Sequence, residues 1–486
     1  MKTLVALLFL PLCAFAALSP GEAESLAAGA RGLPAEFAAD ALIRISTLDV
    51  LERTQRVAFL AEAFQQARKA QQPYRMRVAI TAMPGPAVFL NKVNGQEMDA
   101  LDLELRAVEA MLPLDAGRAR QLFQSIPPVK LPVVKCDDFM VYDVDRFYRV
   151  LAAAAASFPG PDAEAGAPAR FVKPYAAVTS AVQVGPMATV LAGTSWSDAD
   201  FSTVLDAFTG ALGKVAGDDR SFTASYRAGP RIEALVKECQ RRKVSPLPLI
   251  EAYRLFLVVH LSADRCADDD MMQGASMTPS VVTGVEPPVA DVAAFFNEHL
   301  RMAPLQPIQE GESTPARLEG AATGLRRCAS EQCGDIDERY RRLVFGAGNL
   351  PVSLEDRKTP DWRQRLHELL DAMAAWKADA HSTAAEHYRE KTLLYGDLLN
   401  LVPAGETRDA VLQAELAYIV ASRGQAASRI EWFLPLNALV GRTSLDPLGF
   451  GALRAELRKS SDPVVALYAR LEEVAPRSAD RLIGLL

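Results

Sequence analysis

Asp200-Phe-Ser-Thr-Val-Leu-Asp-Ala-Phe-Thr-Gly-Ala-Leu-Gly-Lys-Val215 decides the fold class. Its residues Phe201, Val204, Leu205, Phe208, Leu212 and Val215 fall at i, i+3, i+4, i+7, i+11 and i+14, which places them on one face of an α-helix. Ser197 or Asp198, just ahead, supplies the side-chain oxygen that caps the first turn.

Working outward, the same period recurs. Phe37, Ala38, Ala41, Leu42 and Ile45 share a face in the segment opened by Pro34-Ala35-Glu36. Leu51, Val57, Leu60, Ala61 and Phe64 repeat it through Val50–Gln71. Met98–Leu112 and Leu114–Ile126 read as an antiparallel pair broken at Pro113. Thr359-Pro360-Asp361 puts a hydroxyl at the N-cap and proline at the first helical position, ahead of Trp362, Leu366, Leu370, Met373 and Trp376. Helices are predicted again at Glu406–Ser422, Asp462–Val474 and Ala479–Leu485.

Strand signals are confined to Pro132–Cys136 and Val281–Thr283, short β-branched pieces between turn residues, while Ala176–Leu191 reads either way. The prediction is a mainly α protein of stacked irregular helical hairpins, α-solenoid-like or a multi-helical array, with little or no β-sheet. No fixed-period repeat signature occurs. Pro/Gly/Ala-rich stretches at 157–168 and 303–316 divide the chain into helical regions 17–156, 169–302 and 317–486, or form loops within one stack.

The first residues carry an address. Met1-Lys2-Thr3 is a short positive start, Leu4–Leu12 is apolar, and Ala14 and Ala16 flank Phe15. This is the pattern of a secretory signal peptide over residues 1–16, cleaved after Ala16 or Ala17. The expected location is periplasmic or extracellular. Pro174–Ser197 lacks charge, yet its Thr, Ser and Gln residues and Gly185-Pro186 suit a buried core better than a bilayer. No transmembrane helix is expected after cleavage.

Half the residues are hydrophobic and 23% are charged, enough for a packed core and too apolar for a disordered chain. Lys+Arg 53 against Asp+Glu 60 gives a net charge of −7, the wrong sign for a protein that grips nucleic-acid phosphates unspecifically. Five cysteines follow residue 16, so an odd one remains. Cys328 and Cys333 are close enough in sequence for a local disulfide, Cys239 and Cys266 form a weaker pair, and Cys136 reads as a buried small residue.

Phe345-Gly346-Ala347-Gly348-Asn349-Leu350 has only a G-x-G and reads as a helix stop and turn. Gly193–Ser197 offers hydroxyls with no histidine to activate them. His260 and Asp264, with Cys266 and Asp268, Asp269 and Asp270 nearby, form one conceivable metal set, and a core histidine beside an acidic loop is the simpler reading. His381, Glu386, His387 and Glu390 form a second set, read more simply as a salt-bridged surface stripe. Arg231, Lys237, Arg241, Arg242 and Lys243 suit a helix C-terminus, and Arg339, Arg341 and Arg342 alternate with Asp335, Asp337 and Glu338 as a solvated face. No catalytic, cofactor-binding or metal residue is assigned.

The expectation is therefore an exported helical protein, leaning away from an enzyme, that offers a surface to a protein or envelope partner. Two alternatives stand beside it. One is a metal-assisted hydrolase built on the His260 or His387 groups, and the other an apolar-ligand binder with a pocket among Phe345, Trp362, Trp376 and Tyr388.

Overall fold

The computed structural model describes residues 18–78, 86–134, 140–159, 166–215, 221–222, 228–262, 265–266, 290–309, 317–318, 331–346, 350–378, 380, 382–445 and 450–477. The expected signal peptide, Cys136, Asp264, Asp268–Asp270, Val281–Thr283, Cys328, His381 and Ala479–Leu485 lie outside these residues, as do 160–165 and 310–316 of the two expected divisions.

The chain is mainly α. Three helices open it, α1 (Pro20–Arg31), α2 (Ala35–Ile45) and α3 (Arg53–Ala67), followed by strand β1 (Met76–Val78). Next come α4 (Pro86–Gly95), α5 (Ala100–Met111), α6 (Ala116–Gln124) and β2 (Met140–Tyr142). The middle is built of α7 (Asp145–Ala156), α8 (Ala167–Val172), α9 (Ala181–Gly193), α10 (Asp198–Leu212), α11 (Ala228–Arg241) and α12 (Leu247–Ser262). After β3 (Arg265–Cys266), α13 (Ala290–Phe295) and β4 (Arg317–Leu318), the last part is α14 (Glu331–Val344), α15 (Pro360–Ala375), α16 (Ala384–Leu401), α17 (Glu406–Ala421), α18 (Arg429–Leu445), α19 (Gly451–Lys459) and α20 (Pro463–Val474).

The local signals act as expected where they are local. Ser197 accepts the Asp200 amide at 3.1 Å and starts α10, whose Phe201, Val204, Leu205, Phe208 and Leu212 are buried. Thr359 caps α15 in the same way. Of the ambiguous stretch 176–191, residues from Ala181 on are helix: α9 runs through Pro186 and is buried on nearly every side. Among the described residues no helix is long and apolar enough to cross a membrane.

Strands occur only as two short ladders among the described residues. β1 pairs antiparallel with β2, Arg77 opposite Val141, and β3 pairs parallel with β4. Of the isolated extended piece expected at Pro132–Cys136, residues 132–134 join no ladder and 135–136 lie outside the described residues; the strand nearest to it is β2 at Met140–Tyr142.

Two apolar cores form. The first gathers α1, α2, α3 and α5–α13 around Phe64, Phe123, Phe147, Phe201 and Tyr253, and it includes Leu471 and Ala475 from the other end of the chain. The second gathers α14–α20 around Trp362, Tyr388, Trp432 and Tyr468, and it includes Leu33, Phe37, Phe89 and Val93 from the first part. An open solenoid touches only sequence neighbours. Here α2 packs on α20 and α4 on α18.

α2 is the shared element. The sequence gives it one apolar face, yet Glu36 to Ile45 are all buried, including Glu36, Asp40 and Arg44. Each of these charges meets an opposite charge from far along the chain, as a buried ion must. Arg44 reaches Glu472 at 2.7 Å and the Ala475 carbonyl, Arg106 reaches Asp40 at 2.6 Å, and Arg429 lies 3.4 Å from Glu36. The Tyr468 hydroxyl donates to Asp40 at 2.8 Å.

Candidate functional site

The connection between α14 and α15 leaves three large apolar side chains in water. Phe345 is 41% exposed, Leu350 70% and Leu354 67%, three large apolar residues inside ten positions. Such side chains scattered singly are ordinary on a surface, whereas a cluster marks a contact site.

Backbone bonds hold this segment in place. α14 stops at Val344, as the glycines after it predict, and Phe345 forms a bridge with Pro351. The Gly346 amide donates to the Leu350 carbonyl and the Val352 amide to the Val344 carbonyl, both at 2.8 Å. Ser353 donates to the Asp356 carboxylate at 2.6 Å, closing the turn into α15. Beneath it the Trp362 indole donates to the Leu343 carbonyl at 3.0 Å, and Arg357 donates to the Leu401 carbonyl at the end of α16. The apolar tips stand on a fixed base.

The predicted chemical groups fall elsewhere. His260 is buried in α12, its Nδ1 2.7 Å from the Phe256 carbonyl oxygen and its ring stacked 4.8 Å from Phe222. Among the described residues no three His, Cys, Asp or Glu side chains gather in a metal-holding cluster. Trp362, Trp376 and Tyr388 are all in the second core, apart from the exposed ring of Phe345.

The stripe at Glu386, His387 and Glu390 needs correcting, because it is not a solvated face. Glu386 alone stays outside, where its carboxylate accepts the Thr383 amide at 2.7 Å and is held below the usual carboxylate range by that bond. His387 and Glu390 are buried, with His387 edge-on to Trp376 at 4.7 Å. Arg389, between them, forms a two-pronged pair with Glu431 of α18 at 2.9 Å.

The basic groups are structural. Arg242 is half-buried, bonded to Glu238 at 2.6 Å and Asp198 at 2.9 Å, and its guanidinium lies 4.9 Å above the Phe201 ring. Bonds from Arg241 first, and then from Arg242, pull the Glu238 carboxyl down to about 2. Lys243 ends the helix in the left-handed region at φ 58°. Arg339, Arg341 and Arg342 pair with Asp335, Asp337 and Glu338 one turn back, the solvated face expected.

Cysteine placement separates the two proposed bridges. Cys333 is disulfide-bonded, while Cys239 is a buried free thiol, which excludes its expected pairing with Cys266. Burial pushes the Cys239 thiol up to about 11.

A second ionic group escaped the sequence reading. Glu97, at φ 57°, receives Arg146 at 2.6 Å and Arg75 at 3.2 Å, and its carbonyl accepts from Arg106. Arg75 also holds Asp143 at 2.7 Å. Asp99, which caps α5 by accepting the Asp102 amide, is fully enclosed, and burial followed by the nearby Asp102 charge raises its carboxyl well above the usual range. Only the S/T/D/N-type cap of Asp99 is visible locally; of its charged neighbours, Asp102 lies on the same helix and Arg75 comes from ahead of β1. No family model, curated protein or solved structure matches the chain.

Proposed function

We propose that this is an exported, non-enzymatic module of the cell envelope that holds a protein partner at the connection between α14 and α15. The carrying observation is the exposure of Phe345, Leu350 and Leu354 on a segment whose backbone is bonded on both sides. A preordered apolar patch loses little conformational entropy on binding, and burying a side chain of this size contributes about 1.5–3 kcal/mol before the costs of association. The remaining groups weigh the same way: His260 and His387 pack against aromatic rings, and Glu386 is engaged at a helix cap. Export rests on the charged start, apolar run and Ala14-Phe15-Ala16 site of the first residues.

The test is site-specific photo-crosslinking in the native cell, with the probe at Leu354 and a control probe at Leu255 of α12. The reading expects one discrete adduct from position 354 that disappears when Leu350→Asp is added, with the helical circular dichroism unchanged. Identical adducts from both probes, or an adduct indifferent to Leu350→Asp, would overturn it.

A further inference from the structure

The interface of α16 with α17 encloses more ionisable chemistry than a helix contact requires. Tyr388, Lys391 and Tyr395 project from α16, and Glu415 and Tyr418 from α17. The Tyr418 ring lies 5.8 Å from both Tyr388 and Tyr395, and the Lys391 ammonium sits 4.5 Å above it. Lys391 also donates to the Trp376 carbonyl at 3.2 Å.

Glu415 is the odd member. It is buried, and its carboxyl makes no hydrogen bond or ion pair with any described residue. Its surroundings are as follows. α16 faces it with the phenols and Lys391, and α15 buries only Trp362, Leu366, Leu369 and Met373. α18 brings Arg442, whose charge pulls toward ionisation, and Glu431, already paired with Arg389. α19 brings Glu456, bonded to Gln413 at the surface, and Arg454, bonded to the Thr443 carbonyl. α17 itself adds Arg408, which donates to the Val402 carbonyl. None of these groups bonds the carboxylate, so the closed interface accommodates Glu415 only as a neutral acid.

We propose that the α16–α17 seam is a proton-operated latch: neutral Glu415 lets α17 lie against the tyrosines of α16, and loss of its proton to bulk base releases the helix. Burial drives the Glu415 carboxyl up to about 8 and the Lys391 ammonium down to about 8. The folded value of Glu415 is above its ordinary one, so the closed state weakens as pH rises from 4.5 toward 8. Lys391 acts oppositely, its penalty complete below about 8 and relieved as pH rises toward 10.5. The latch is therefore loosest near the pH where both change charge.

Hydrogen exchange of the full chain, corrected for the intrinsic pH dependence, reads this out. Protection of amides 406–421 is expected to fall at least about tenfold between roughly pH 6 and 8, while α10 keeps its protection. Glu415→Gln should leave α17 equally protected at both values. A fall that persists in Glu415→Gln, or wild-type protection that does not change, overturns the proposal. Should the variant fail to fold, infrared spectroscopy of the wild-type protein decides, since a buried carboxylic-acid band must persist at about pH 6 and fade above about 8. Its absence at the lower value is equally fatal.

Discussion

The Arg106 guanidinium lies 2.6 Å from the Asp40 carboxylate, and both side chains are buried. The pair joins α5 to α2, and Asp40 also receives the Tyr468 hydroxyl from α20 at 2.8 Å. Three segments thus converge on one carboxylate. Removing one partner of a buried pair costs about 3–5 kcal/mol when the other charge is left uncompensated; here Arg477, 3.5 Å from Asp40, offsets part of that and leaves a loss of about 1.5–3 kcal/mol. Arg106→Met is expected to lose that much in urea unfolding at neutral pH, more than the exposed-pair variant Arg339→Met, whose loss should stay below about 1 kcal/mol.

At the connection between α14 and α15, exposure decides what a substitution costs. Leu350→Ser and Leu354→Ser remove side chains that touch mostly water, so thermal unfolding should move by no more than about 0.5 kcal/mol. Leu366→Ala, in the core beneath, should cost about 2–5 kcal/mol. Calorimetry of the three variants checks this contrast.

Glu238 ties Arg241 and Arg242 together at the end of α11, and its carboxyl is held down to about 2. A depressed carboxylate contributes stability above its ordinary range, and that stability is lost as pH falls through the folded value. The urea midpoint of wild type should therefore exceed that of Glu238→Gln at neutral pH. The gap should close as the pH is lowered from about 4.5 toward 2.

Cys239 is enclosed at the heart of the first core, with its thiol pushed up to about 11. Alkylation needs the thiolate and a path to it. Mass spectrometry after iodoacetamide treatment should find Cys239 unlabelled in the native protein and fully labelled in denaturant.

Legibility followed distance along the chain. The stripe from Phe201 to Leu212 could be read because its spacing and its Ser197 cap lie within a few turns of each other. α2 was read as one-sided, because nothing near Glu36, Asp40 and Arg44 announces that Arg429, Arg106 and Glu472 will arrive to neutralise them. Glu386, His387 and Glu390 look alike in sequence, yet the helix turns Glu386 to its own cap and the other two inward. The stop after Val344 was visible in its glycines. The exposure of Leu350 and Leu354 was not, since apolar residues after a turn usually continue into a core. Glu415 carries no signal at all, because its distinction is the lack of a bonded mate among the described residues.

The long reach of Arg44 to Glu472 sets a timetable for biosynthesis. The two residues are 428 positions apart, and at about 5–20 residues per second a ribosome needs roughly 20–90 s to span that interval. Asp40 meets Arg106 only 66 positions on, but through most of that interval Glu36 and Arg44 have no counterpart, since Arg429 and Glu472 are made late. The fully charge-matched state of α2 is therefore reached only when the final coils have been made.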